Sequence, residues 1–183
     1  MTALLVAHQG GDPTAFERLL PLIYPELKGI ARRQLRRLRV GQTLNTTGLV
    51  HEAYLKMNGP REAVFNDRAH FFAVASTAMR QIVVDHDRAT IALKRGGGQE
   101  RATWDEGLAA TEGDLERVLA VDGALKKLAR YDEQLVRLVE CRFFAGLTEE
   151  EAAEALGLPL RSTQRSWAKA KAWLKRELST EGG

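Results

Sequence analysis

A single cysteine, Cys141, occurs among 183 residues. One thiol excludes an intrachain disulfide and any zinc site built on several cysteines. Its neighbours Val139, Phe143 and Phe144 mark it as an inert, part-buried side chain. No apolar run approaches the roughly 20 residues that span a bilayer. The leading stretch MTALLVAHQGGDPTAFERLL lacks the basic lead and long apolar core of a secretory signal. These absences predict a cytoplasmic chain without membrane contact. Strand-type alternation and repeats of fixed period are missing throughout. The glycines at 96–98 lack the GK[ST] of a phosphate loop, and no GxSxG elbow occurs. The only hint of catalytic chemistry is the pair His86-Asp87, with His51 and His70 upstream. Phosphohydrolases can hold divalent metals with such pairs, but the spacing here is loose and a lone HD pair is common by chance. The expectation is therefore no enzyme, no cofactor and no metal site, with a metal phosphohydrolase as a minor alternative.

What is present is an uneven charge pattern. The net charge is only +3. Residues 1–95 carry 14 Lys/Arg against 8 Asp/Glu, a net of +6. Residues 96–121 carry 2 against 6, a net of −4. Residues 122–183 carry 11 against 10, but their basic groups cluster after 160. Two basic surfaces separated by an acidic connector suit an anionic polymer held at two places.

Turn signals divide the chain. Gly96, Gly97, Gly98, Gly107 and Gly113, with Thr, Glu and Asp between them, make 95–116 read as a flexible linker. Such a linker predicts two units that move independently. The N-terminal unit reads as four helices. Asp12-Pro13 opens the first, with Phe16, Leu19, Leu20 and Ile23 inward, and Pro25 is placed to end or kink it. The second runs to about Leu38 with Leu27, Ile30, Ala31 and Leu35 inward, leaving Arg32, Arg33, Arg36, Arg37 and Arg39 largely on other faces. The third starts at Thr46 or Thr47 and buries Leu49, Val50, Ala53, Tyr54 and Met57. The fourth runs from about Arg68 to Lys94 on Phe71, Phe72, Ala75, Met79, Ile82 and Val83. The C-terminal unit reads as helices at about 116–130, 132–145, 148–156 and 160–178.

The last two of these carry the most information. Thr148 with Glu151 fits a capping box, Ala152, Ala153 and Leu156 form an apolar side, and Gly157 sits where the chain must turn. Arg161, Arg165 and Lys169 then recur every four residues, with Lys171, Lys175 and Arg176 beyond. Leu160, Trp167, Ala170, Leu174 and Leu178 lie opposite. Ala153, four residues before the turn glycine, lets two helices cross closely. This is the layout of a helix-turn-helix whose second helix enters a major groove. Thr163 departs from it, standing where such motifs usually carry an aliphatic residue. Trp167 lies on the core side and is expected to pack rather than stack on bases.

Three stretches in order resemble the extracytoplasmic-function (ECF) sigma factors of the sigma-70 superfamily. GLVHEAYLKM (48–57) is similar to that family's core-binding helix. MRQIVVDHDRATIALKRGGG (79–98) is similar to its promoter-melting segment. GLTEEEAAEALGLPLRSTQRSWAKAKAWLKREL (146–178) is similar to its helix-turn-helix. The resemblance implies an all-α chain with a sigma-2-like domain at 10–95, a linker at 96–116 and a sigma-4-like domain at 117–179. It implies a chain that binds RNA polymerase core and directs initiation at promoters. On this reading His51, Glu52, Leu55 and Lys56 face the clamp helices of the largest polymerase subunit. Arg80, Gln81, Arg88, Lys94 and Arg95 meet the melted minus-10 strand. Arg161, Ser162, Gln164 and Arg165 read minus-35 bases, and Lys169, Lys171 and Lys175 meet phosphates. An anti-sigma protein is a further possible partner. One departure lies after His86, where Asp87, Thr90, Ile91 and Leu93 interrupt a stretch usually rich in arginine. The alternative is a helix-turn-helix regulator that acts without polymerase core.

Overall fold

The computed structural model describes residues 3, 4, 7, 10, 12–38, 44–57, 65, 67–95 and 112–180. Seven α-helices and one π-helical segment account for nearly all of these, and no strand occurs among them. They are α1 (Pro13–Leu38), α2 (Thr46–Met57), α3 (Arg68–Arg95), α4 (Glu112–Tyr131), α5 (Glu133–Val139), the π-helical segment Glu140–Ala145, α6 (Glu149–Leu156) and α7 (Leu160–Thr180). The expected linker lies mostly outside the described residues, and α4 begins at Glu112, inside its expected C-terminal end.

The two helices expected before residue 38 are one. Helix α1 continues through Pro21 and Pro25. Each proline removes an intrahelical donor and crowds the preceding turn, but both face outward. On the other side Leu19, Ile23, Leu27, Ile30 and Ala31 form a continuous buried stripe. Burying a side chain of this size contributes about 1.5–3 kcal/mol, so the stripe together outweighs the helix defects. Leu20, expected inward, is exposed because Leu19 and Ile23 define the buried face; the side chains of Phe16 and Arg37, and all of Arg39, lie outside the described residues.

Helix α2 begins where Asn45 accepts the Gly48 N–H at 2.8 Å through its side chain. It buries Leu49, Val50, Ala53 and Met57. Helix α3 begins where Asp67 caps the His70 N–H at 2.7 Å. All of its expected core residues, Phe71, Phe72, Ala75, Met79, Ile82 and Val83, are buried. So are Ser76, Ala78, Arg80, Val84 and Asp87. A helix buried on so many sides is a central pillar rather than a surface element. It packs on α1 and α2, and also on α4, the π-helical segment and α6.

That packing joins the two units into one core, which the linker pattern by itself does not foresee. Phe72 of α3 and Phe144 of the π-helical segment are both fully buried. Gln34 of α1 is buried too, and its amide donates to Ser76 O and Ser76 Oγ, each at 2.9 Å. The π-helical segment ends at Gly146, whose φ of 76° is a left-handed conformation that glycine adopts without a Cβ penalty. The Arg33 guanidinium reaches across from α1 to donate to the Ala145 carbonyl.

Gly157 has a similar φ of 64° but open space around it. The two glycines therefore separate two costs. Gly157→Ala should destabilise by roughly 1–2 kcal/mol, the left-handed strain alone. At Gly146 a Cβ would also displace the Arg33 guanidinium, so Gly146→Ala should lose a further ~1 kcal/mol with the broken hydrogen bond. Urea unfolding followed by circular dichroism measures both, and equal losses would contradict the assignment.

Candidate nucleic-acid interface

The helix-turn-helix is built from local bonds. Thr148 Oγ1 accepts from the Glu151 N–H at 3.1 Å, and Glu151 returns a bond to the Thr148 N–H at 2.8 Å. The capping box is therefore complete, and three glutamates in the first turn of α6 suit the positive end of its dipole. At the other end Leu158 N–H donates to Ala153 O at 2.9 Å and Gly157 N–H to Glu154 O at 3.1 Å. This pairing is a Schellman stop, and it fixes the direction in which the chain leaves α6. Ala152 and Ala153 are buried against the crossing. Thr163 occupies the expected core position at 0 % exposure. Its hydroxyl donates to Pro159 O at 3.3 Å, which satisfies the polar group that an aliphatic residue would not bring.

With Thr163 and Ala170 buried and Trp167, Trp173 and Leu174 half-buried, the opposite side of α7 is turned to solvent. Arg161, Gln164, Arg165, Lys169, Lys171 and Lys175 are all exposed, and Ser162 is half-buried. Gln164 is steadied by a 2.9 Å bond from its amide to Glu149. Lys169 lies 3.8 Å from Asp132. Trp167 packs as expected, with Arg142 on its ring at 5.6 Å and Lys171 at 5.3 Å. Leu160 and Leu178, expected on the apolar side, are exposed at the two ends of the helix, where no neighbour covers that side.

On α2 the residues His51, Glu52, Leu55 and Lys56 are exposed, opposite the buried stripe. Leu55 is 56 % exposed, an apolar side chain without cover. Lys56 sits 3.8 Å from Asp85 of α3 with both side chains largely in solvent, a pair of little energetic weight.

The α3 residues assigned to the melted strand are divided. Gln81 and Arg88 are exposed, whereas Arg80 is 8 % exposed. The side chains of Lys94 and Arg95 lie outside the described residues. Arg80 Nε meets Glu140 at 2.7 Å and its Nη1 meets Asp122 at 2.8 Å, while its guanidinium lies 5.7 Å from the centre of the Phe144 ring. Asp122 also receives Arg88 at 2.6 Å and Lys126 at 2.8 Å. Burial would raise the Asp122 pKa, but the bonds from Lys126 and Arg80 prevail and hold it below the usual range. Glu140 is deeper: burial raises its pKa, and Arg80 opposes that only in part.

Sequence reasoning missed Asp122 and Glu140. A signal was there: Asp122 stands on the stripe Val118–Asp122–Leu125, and Glu140 interrupts the apolar run at 138–141. An acid on a buried stripe calls for a cationic partner. Cys141 beside it is buried, and burial followed by the nearby Glu140 pushes its thiol up to about 12, so it is inert as expected.

His86 and Asp87 do sit together, Nδ1 to Oδ1 at 3.6 Å, too long for a hydrogen bond. Among the described residues no group of three or more His, Cys, Asp or Glu could hold a metal ion. Asp87 is 1 % exposed and neither carboxylate oxygen has a hydrogen-bond partner.

This architecture defines a helical DNA-binding protein, with a capped helix-turn-helix carrying a basic outer face. The family model for ECF sigma factors matches residues 1–180, so the chain belongs to the ECF sigma factor family. Neither the curated proteins nor the solved structures contain a significant match. Family membership carries RNA polymerase sigma-factor activity, with polymerase and promoter DNA as partners. The family is one of transcription factors rather than enzymes. No helix among the described residues is long and apolar enough to cross a membrane.

Burial raises the Asp87 pKa, with His86 opposing. A carboxyl raised in the folded state stabilises the fold when protonated, and that contribution is lost as pH rises through its folded value. Asp87→Ala should therefore stabilise the protein at pH 7 by roughly 1–3 kcal/mol, the cost of an unpartnered buried polar group. The gain should shrink as the pH is lowered through the carboxylate range. Chemical unfolding across a pH series measures it, and a destabilised variant at pH 7 would show that Asp87 has a partner.

Proposed function

We propose that this sigma factor reads a promoter at two places with the residues assigned above. Arg161, Ser162, Gln164 and Arg165 read bases of the minus-35 duplex, and Lys169, Lys171 and Lys175 hold its phosphates. Arg80, Gln81, Arg88, Lys94 and Arg95 hold and read the melted minus-10 strand. His51, Glu52, Leu55 and Lys56 dock on the clamp helices of the largest polymerase subunit. The sigma-2-like domain is 10–95 and the sigma-4-like domain 117–179. The protein works in the cytoplasm, where polymerase is, and an anti-sigma protein is a compatible regulator. The observation that carries this reading is the exposed face of α7. Its opposite face is buried, its start is set by a Schellman stop, and its exposed positions are arginine, glutamine and lysine. Arginine can grip guanine with two bonds and glutamine can do the same to adenine.

Arg165→Ala should lose roughly 1–3 kcal/mol of promoter affinity and relax the preference at one base pair. Lys171→Ala should weaken binding to all sequences alike and lower the salt slope by about one unit. Binding of both variants to single-base promoter substitutions at several salt concentrations tests this. Uniform loss in Arg165→Ala, with every base preference intact, removes its base-reading role.

Reversing two charges on α2, Glu52→Lys with Lys56→Glu, should weaken binding to polymerase core while helicity stays unchanged. Core affinity measured by fluorescence anisotropy decides it. Unaltered affinity would move the docking surface elsewhere and favour a regulator that works without core.

A further inference from the structure

Gln164 stands on the exposed face of α7, yet its amide is not free to turn. Its Nε2 donates to Glu149 Oε2 of α6 at 2.9 Å. A carboxylate only accepts hydrogen bonds, and of the two ends of an amide only the NH2 donates. The flipped amide would set oxygen against oxygen. Glu149 therefore decides which end of Gln164 faces inward and which faces out. Glu149 is itself held. Its other oxygen, Oε1, lies 3.6 Å from Arg142 Nη2 of the π-helical segment. Arg142 in turn donates through Nη1 to the Leu147 carbonyl, and its guanidinium lies 5.6 Å from the centre of the Trp167 ring. Trp167 is three residues beyond Gln164 on the same helix, hence its neighbour one turn on. The contacts close a ring from α7 through the π-helical segment and α6 and back to α7.

We propose that Glu149 is a positioning residue for base specificity: by fixing the Gln164 amide it makes that side chain read adenine. The inference deepens the reading of Gln164 as a minus-35 base contact and rests on it. With one N–H engaged by Glu149, the amide keeps its other N–H and its carbonyl for a base. Adenine offers the matching pair in the major groove, the N6 donor and the N7 acceptor, and glutamine meets both at once. Guanine presents two acceptors there, N7 and O6, so the outward carbonyl of Gln164 would face an acceptor with no proton between them. An untethered glutamine escapes that clash by turning its NH2 outward. Rejection of guanine is thus the part of the discrimination that Glu149 supplies.

The charge of Glu149 is otherwise out of place. Its bond to Gln164 brings a carboxylate against the α7 face that carries Arg161, Arg165 and Lys169, where it repels phosphates and weakens binding to any duplex. The dipole of α6 does not call for it, because Glu150 and Glu151 share the same first turn. Discrimination against one base at some loss of general affinity is a common route to specificity. Both carboxylate oxygens are engaged within the protein, so Glu149 acts through Gln164 rather than on a base itself. The tether also orders a long side chain before DNA arrives, which lowers the entropy lost on binding.

The test is selection by polymerase holoenzyme carrying this chain from a duplex library randomised across the minus-35 region, with base preferences read by sequencing. Wild type should show one position with an adenine preference of about 5- to 150-fold, the range of a bidentate pair, and Gln164→Ala should abolish it. Glu149→Leu should abolish the same preference while every other position keeps its own. Glu149→Gln keeps the shape, leaves its carbonyl to Arg142 and turns its NH2 toward Gln164. The Gln164 amide should then flip, and the preference should pass from adenine to guanine. A merely structural role predicts no such exchange, since Thr148 and Glu151 keep the capping box in both variants. If Glu149→Leu fails to fold, the isosteric Glu149→Gln still decides. An adenine preference retained in a folded Glu149 variant overturns the proposal, as does a Gln164-dependent preference for another base in wild type. So does a changed preference when Glu149→Leu is added to Gln164→Ala, because Glu149 would then be a base contact in its own right. The functional reading has its own readout. If Gln164→Ala leaves every base preference intact, Gln164 is no base reader; if it relaxes one position while the Glu149 variants do not, only the positioning role falls.

Discussion

The guanidinium of Arg80 is where the two halves of this protein are fastened. It projects from the central helix into a place lined by Glu140, Asp122 and the ring of Phe144. A cation so buried is tolerable only with its partners in place, since removing either leaves a charge without compensation. The same demand binds the partners, because Glu140 is buried by the packing that brings Arg80 to it. Geometry at the junction is therefore set jointly by both units, and α3 can act as a pillar of both.

The recognition end of the molecule follows a different logic. Its shape comes from bonds between residues close in sequence: the Thr148–Glu151 box, the Ala153–Leu158 stop and the Pro159–Thr163 bond. Short-range bonds of this sort set the angle at which α6 meets α7, and packing on α3 with the Arg68–Glu151 contact ties the pair to the rest of the fold. The basic outer face of α7 is preorganised by these bonds.

Asp87 shows how a departure from a family pattern translates into physics. It falls on the Met79–Val83–Asp87 stripe of α3, where side chains are taken out of water. No bond is offered to either oxygen, so the acid weakens the pillar that Arg80 helps to hold. His86 is near enough to feel it but too far to satisfy it. A pair that looks like metal ligands in the sequence is, in three dimensions, half-buried imidazole beside a stranded carboxylate.

Much of this was legible from the chain alone. The all-helical class, the stripes of α2 and α3, the capping box, the turn glycine and the outward basic face of α7 are local patterns, set by helical period and short-range hydrogen bonds. The same rules misplaced the break at Pro25, because a long buried stripe can carry a helix through a proline, and the size of that stripe depends on what packs against it. They also could not show that Arg80 faces inward. On its own helix it is an arginine next to a glutamine, and its partners lie 42 and 60 residues away. Period and propensity report which side of a helix is apolar; only the meeting of α3 with α4 and the π-helical segment decides which charges are buried together, because that meeting is a property of contacts between distant stretches of chain.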